Sequence, residues 1–188
     1  MKKTDSGKNT YLYDPENPAT HIIDVSENEL SVPEDYTLEE QRADVLVYST
    51  PVLEKEVTLT GDLTAKLYVS SSAVDTDFVV RLTDVDVHGK SIKLADGVLC
   101  ARYRNGFEKG ELMEPGCIYL LSIRMSKISY CFPKGHRIRI TITSSAKNYI
   151  FPNSNTADGY DSQVTVIAEN TVYHGGEYPS YIELFAEK

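Results

Sequence analysis

Along most of the chain, apolar and polar residues change places at every step, the period of a strand that buries one face. Leu63, Ala65, Leu67 and Val69 alternate with Thr64, Lys66, Tyr68 and Ser70. Phe78, Val80 and Leu82 alternate with Val79, Arg81 and Thr83, and Ile138, Ile140 and Ile142 with Arg137, Arg139, Thr141 and Thr143. Shorter stretches read the same way: Asp44–Tyr48, Val57–Thr60, Ile92 with Leu94, Val98–Arg104, Ile118–Met125, Val164–Ile167 and Tyr181–Phe185. Gly61-Asp62, His88-Gly89, Asn105-Gly106, Pro115-Gly116 and Pro133-Lys134-Gly135 punctuate them as turns. Short strands with turn signals and almost no helix predict an all-β fold. Two sheets must pack face to face to bury their apolar sides, which makes a β-sandwich. Periodicity leaves open whether its connections follow a jelly-roll or an immunoglobulin-like order.

The pattern is absent at the start. Residues 1–10 are polar and read as a loosely attached leader, ahead of a single domain over 11–188. From Tyr11 to Tyr36, Pro15, Pro18 and Pro33 oppose a long regular element, so an extended arm laid over the core is expected. Thr37 followed by Glu40 predicts a capping box on a short helix over 37–42. A polar loop is expected over 148–162.

Composition narrows the class. The net charge of −9 opposes nucleic-acid binding, which depends on cationic contacts to phosphate. Lys134, Arg137 and Arg139 form the densest basic run, and it reads as the solvent face of a strand. No apolar run is long enough to span a bilayer, and no apolar stretch follows the charged start. Cys100, Cys117 and Cys131 show no metal-ligand spacing, and their odd number without a secretory signal points to free thiols in a reducing, cytoplasmic setting. No cofactor is implied.

Several motifs then carry a resemblance. They are Tyr11-Leu12-Tyr13-Asp14-Pro15, Asp44-Val45-Leu46-Val47-Tyr48-Ser49-Thr50, Ser70-Ser71-Ser72 leading to Asp75-Thr76-Asp77-Phe78, and Asp96-Gly97-Val98 leading to Arg102-Tyr103-Arg104. Pro133-Lys134-Gly135-His136-Arg137-Ile138, Ser144-Ser145 and Asn153-Ser154-Asn155-Thr156 complete the set. In order and spacing, over roughly residues 11 to 185, these resemble the C-terminal domain of the cocaine-esterase / X-Pro dipeptidyl-peptidase (CocE/NonD) serine hydrolases. The resemblance implies a jelly-roll, galactose-binding-like domain. It also implies a partner, an α/β-hydrolase catalytic domain on the same or a separate chain, whose substrate cleft the jelly roll helps to close. The parent activity implied is hydrolysis of esters, amides or Xaa-Pro peptide bonds.

Three departures stand out. Gly-x-Ser-x-Gly, the frame of the α/β-hydrolase nucleophile, does not occur; Gly89-Lys90-Ser91 comes nearest and lacks the second glycine. The stretch from Thr20 to Tyr36, often glycine-rich and apolar in the family, reads here as His21-Ile22-Ile23-Asp24 and an acidic run. Ala146-Lys147-Asn148-Tyr149 replaces the usual Ser-Asn-Phe-Pro. A non-catalytic accessory domain follows, with no catalytic residue of its own; each of His21, His88, His136 and His174 has a loop or turn explanation.

Two groups of side chains remain as candidate sites. Ile22, Ile23, Asn148, Tyr149, Phe151, Asn153 and Asn155 are the candidate interdomain or cleft-rim residues, because aromatic anchors recur at protein interfaces. The same loop, with Tyr160, has the aromatic and amide chemistry of a ligand-binding surface, and the alternative function is a free-standing carbohydrate- or small-ligand-binding module. Asp75, Asp77, Asp84 and Asp86 could supply oxygens to Ca²⁺, but they are split between a loop and a strand. The structural alternative has Asp77 accepting hydrogen bonds at a strand entrance and Asp84 or Asp86 paired across strands with Arg102 or Arg104.

Overall fold

The computed structural model describes residues 7–22 and 33–184. Their strands run, in chain order, β1 (Gly7–Tyr13), β2 (Leu46–Ser49), β3 (Val57–Gly61), β4 (Thr64–Ser71), β5 (Asp77–Val85), β6 (Ser91–Cys100), β7 (Tyr119–Arg124), β8 (Ile128–Phe132), β9 (Arg137–Thr143), β10 (Ala168–His174) and β11 (Tyr181–Glu183). One sheet has the order β1-β10-β4-β11, with β7 on the other edge of β4, and the second has the order β2-β9-β5-β6. Each of the strand pairings is antiparallel. Since Tyr68–Ser71 pair with β10 and Thr64–Lys66 with β11, one edge of β4 is shared end to end by two strands.

The inner faces are those the alternation marked. Ala65, Leu67, Val69, Leu121, Ile123 and Val172 of the first sheet meet Phe78, Val80, Leu82, Ala95 and Ile142 of the second in one buried cluster. The β3–β8 ribbon adds Leu59 and Phe132 to it. The result is the jelly-roll sandwich that the resemblance implies.

β5 departs from simple alternation, because all nine of its residues are buried. Its outer positions Val79, Arg81 and Thr83 face away from the core, yet the arm covers Arg81 and Thr83. Tyr36 lies against Arg81, and the Glu40 carboxylate reaches Thr83, Ser91 and Arg139. That reach explains why the expected helix shrinks to a single 3-10 turn over Glu39–Gln41. Glu40 is drawn to the sheet rather than back to the helix start, and the Thr37 hydroxyl bonds Asp35, so the capping box does not form.

Other boundaries move for equally local reasons. Residues 7–10, expected in the leader, are strand: β1 pairs with β10 over its whole length and buries Tyr11 and Tyr13. Val164–Ile167 is not a strand; the pairing begins at Ala168, where Asn170 turns inward to bond Thr76 and Ser144. The two pieces expected over 92–104 are one strand ending at Cys100, with a register shift opposite Leu82/Thr83, and residues 101–103 form a 3-10 turn. β8 is a strand not among those expected from the sequence.

The sheets touch where β6 meets the end of β7. A Cβ on Gly97 would lie 2.5 Å from the Arg124 carbonyl oxygen and 3.0 Å from the Met125 Cα, both backbone atoms that cannot step aside cheaply. Gly97→Ala should therefore cost about 1–3 kcal/mol of stability. Urea unfolding measures this, and an unchanged midpoint would contradict so close an approach.

Candidate interdomain surface

The loop after β9 is held from beneath. Asn153 and Asn155 are 0% and 2% exposed, so neither lies on a rim. The Asn153 amide donates to Asp75 Oδ2 and to Asp77 Oδ1, each at 2.9 Å, while its own Oδ1 accepts the Asn155 backbone N–H. Tyr160 donates to Asp77 Oδ2 at 2.8 Å. Arg102 pairs with Asp75 at 2.8 Å and donates to the Thr156 carbonyl. Asn155 closes the loop by donating to the Val166 carbonyl at 2.6 Å. Asn148 and Asn155 take up positive φ, a conformation asparagine tolerates better than most residues.

The arm is laced to the same loop. Backbone hydrogen bonds join His21 to Lys147 and Lys147 to Ala19, the Asn148 amide reaches the His21 carbonyl, and the His21 ring stacks on Tyr149 at 4.8 Å. Beneath the ring, Lys93 Nζ lies 2.8 Å from Glu34, 3.1 Å from Asp96 and 2.9 Å from His21 Nε2. Burial opposes ionisation of Asp96, but the His21 hydrogen bond and the Lys93 charge outweigh it and hold its pKa down to about 2. Clamped in this way, arm and loop leave Ile22, Tyr149 and Phe151 facing outward, 41%, 46% and 82% exposed. Ile23 lies outside the described residues.

The charged candidates find other partners than those expected. Asp84 accepts from His136 Nδ1 at 2.9 Å and from Tyr130 at 2.7 Å. Asp86 accepts the backbone N–H groups of His88 and Lys90 in the β5–β6 turn. Arg104 lies over the Tyr119 ring and donates to the Ala101 and Glu111 carbonyls. No Asp84 or Asp86 pair with Arg102 or Arg104 forms, because β6 runs antiparallel to β5. Cys100 sits opposite Asp77 and Ile92 opposite Asp84, so the arginines that follow Cys100 stand at the far end of β5. Among the described residues, no group of His, Cys, Asp or Glu is arranged to hold a metal ion.

Cys100 is enclosed beside Asp75 and Asp77. Burial and those carboxylates push its pKa far up, so the thiol stays protonated and donates to Asp75. A thiol without access to its thiolate is no nucleophile.

Comparison with known proteins fits this geometry. Residues 2–183 match the model of the X-Pro dipeptidyl-peptidase C-terminal non-catalytic domain. The chain belongs to that family. It is 40% identical over 182 residues to the cocaine esterase of Rhodococcus sp. (strain MB1 Bresler), covering 93% of this chain and 31% of the esterase. It shares its fold with an aminopeptidase of a marine-sediment Thaumarchaeota archaeon (TM-score 0.91, 24% identity, 100% of this chain and 34% of that one). An α-amino acid ester hydrolase has it too (TM-score 0.89, 23% identity, 96% and 33%). The family domain thus spans about a third of the proteins it matches.

Burial raises the Asp77 pKa to about 6 against the opposing bonds from Asn153 and Tyr160. The folded domain therefore holds a proton that the unfolded chain has released between pH 3.8 and about 6. The stabilisation from that proton is complete below 3.8 and is lost as pH rises through about 6, a change of about 3 kcal/mol. Unfolding free energy should fall over that window in the parent and stay flatter in Asp77→Asn. Equal slopes in the two proteins would show that Asp77 is ionised throughout.

Proposed function

We propose that this chain is the accessory domain of a CocE/NonD-type α/β-hydrolase, stabilising the catalytic domain and shaping the rim of its substrate cleft. The observation that carries the reading is the division of labour in the 148–160 loop. Its amides are consumed inside the domain, at Asp75, Asp77 and Val166, while Tyr149 and Phe151 are offered to a partner. An exposed aromatic pair backed by a fixed loop suits a protein interface, where rigid anchors lose little entropy on docking. Ile22 extends the contact along the arm. Hydrolysis of esters, amides or Xaa-Pro bonds is the activity of the whole enzyme in this reading. No described helix is long and apolar enough to cross a membrane, and the unpaired Cys100, Cys117 and Cys131 suit a reducing cytoplasm.

The sugar-binding alternative is weakened by the same loop, since Asn153 and Asn155 are buried and their amide nitrogens donate inside the domain.

Two measurements test the proposal. The purified chain should hydrolyse neither aryl esters nor Xaa-Pro anilides; turnover that co-purifies with the chain through every step would overturn a non-catalytic role. In a chimera, this chain should replace the matched third of the Rhodococcus cocaine esterase and restore activity lost on truncation. Phe151→Ser should then destabilise the chimera by about 1 kcal/mol or more while sparing the isolated chain. Equal effects on both would place Phe151 outside the interface.

A further inference from the structure

Among the described residues, Arg81 is the largest fully buried side chain, 1% exposed on the outer face of β5. Its guanidinium lies over the Tyr36 ring, 4.6 Å from the centroid. Nε and Nη2 have no hydrogen-bond partner among the described residues. These two nitrogens share one edge of the guanidinium, the fork that takes a carboxylate through two parallel bonds. Arg42 uses that edge on Asp44, with Nε at 2.7 Å from Oδ1 and Nη2 at 2.9 Å from Oδ2.

The carboxylates nearby are already engaged. Glu34 is held by Lys93 and Tyr36, Asp96 by Lys93, and Glu40 by Arg139 and Ser91. Among the described residues none forms an ion pair with Arg81. Thr143 Oγ1, on the adjacent strand and the same outward face, is another buried polar atom with no partner among the described residues. A buried charged donor left open costs several kcal/mol, and proteins meet that cost with an acceptor.

We propose that the fork of Arg81 binds a small planar oxyanion of the carboxylate or bicarbonate type, enclosed between the outer face of β5–β9 and the Tyr36 arm. The donor set selects the class: the two N–H donors of a buried guanidinium favour an anion, and the fork spacing matches two oxygens on one carbon. Tyr36 fixes the plane of the guanidinium, and so the plane of the ligand. Bound there, the anion ties the arm to the sheet, next to the surface offered to the catalytic domain. The inference concerns the interior of this chain and stands whether or not that docking reading holds.

Sodium formate is the probe. Crystals of the 188-residue chain grown with formate should show planar density with two oxygens about 2.7–2.9 Å from Nε and Nη2. In solution, about 100 mM formate should raise the thermal midpoint by about 5 °C over sodium chloride of equal ionic strength. Arg81→Lys keeps the charge, loses the fork and should abolish the difference. Separate water peaks at the two nitrogens would overturn the proposal even if the variant fails to fold. So would a midpoint that follows ionic strength alone.

Discussion

The paired carboxylates of Asp75 and Asp77, bridged by one amide of Asn153, are the constraint on which the working surface depends. Two acids at the entrance to β5 would repel each other and resist burial. They are tolerated because Arg102 neutralises one, while Asn153 and Tyr160 bond the other. Each of those partners comes from elsewhere in the chain, so satisfying the acids fixes where the chain must pass. The loop over 148–162 is thereby pinned at its middle, and Tyr149 and Phe151 face outward with little freedom to do otherwise. Packing sets the sandwich, and buried polar chemistry sets its surface.

The same logic governs the arm. The outer face of β2-β9-β5-β6 carries Arg81, Thr83, Arg139 and Thr141, a polar set suited to water. Covering such a face with apolar residues would strand its donors, so the arm brings Glu34, Tyr36 and Glu40 instead. A core of apolar side chains lies on one side of the sheet and a charged layer on the other. Arm, sheet and loop then meet at His21, which stacks on Tyr149 above Lys93.

How much of this could be read in advance divides along physical lines. The strands whose apolar residues face the core, such as Leu63 to Val69 and Phe78 to Leu82, announce themselves by period, because one side alone meets water. β10 hid behind Asn170 and Thr171, since a strand that buries polar groups through hydrogen bonds breaks the apolar alternation that marks a strand. The arm was visible as an arm from its prolines, but its first strand was not: Tyr11 and Tyr13 dock only because β10 lies beside them. Asp77 was legible as an acceptor from its place before a strand. Asn153 and Asn155 were not legible as buried, because an asparagine in a polar loop reads the same whether it caps a turn or bridges two acids. Tyr149 and Phe151 stood out as aromatics in a loop, and there the structure left them exposed.

A preformed surface is the claim most open to direct attack, and amide hydrogen exchange on the isolated chain reaches it. The Asn155 amide bonds Asn153 Oδ1 and the Val166 amide bonds the Ser154 carbonyl, so both should exchange as slowly as amides within β5. Exchange at those positions as fast as in the exposed segment 107–109 would mean the loop is unformed without its partner, and the account would fail.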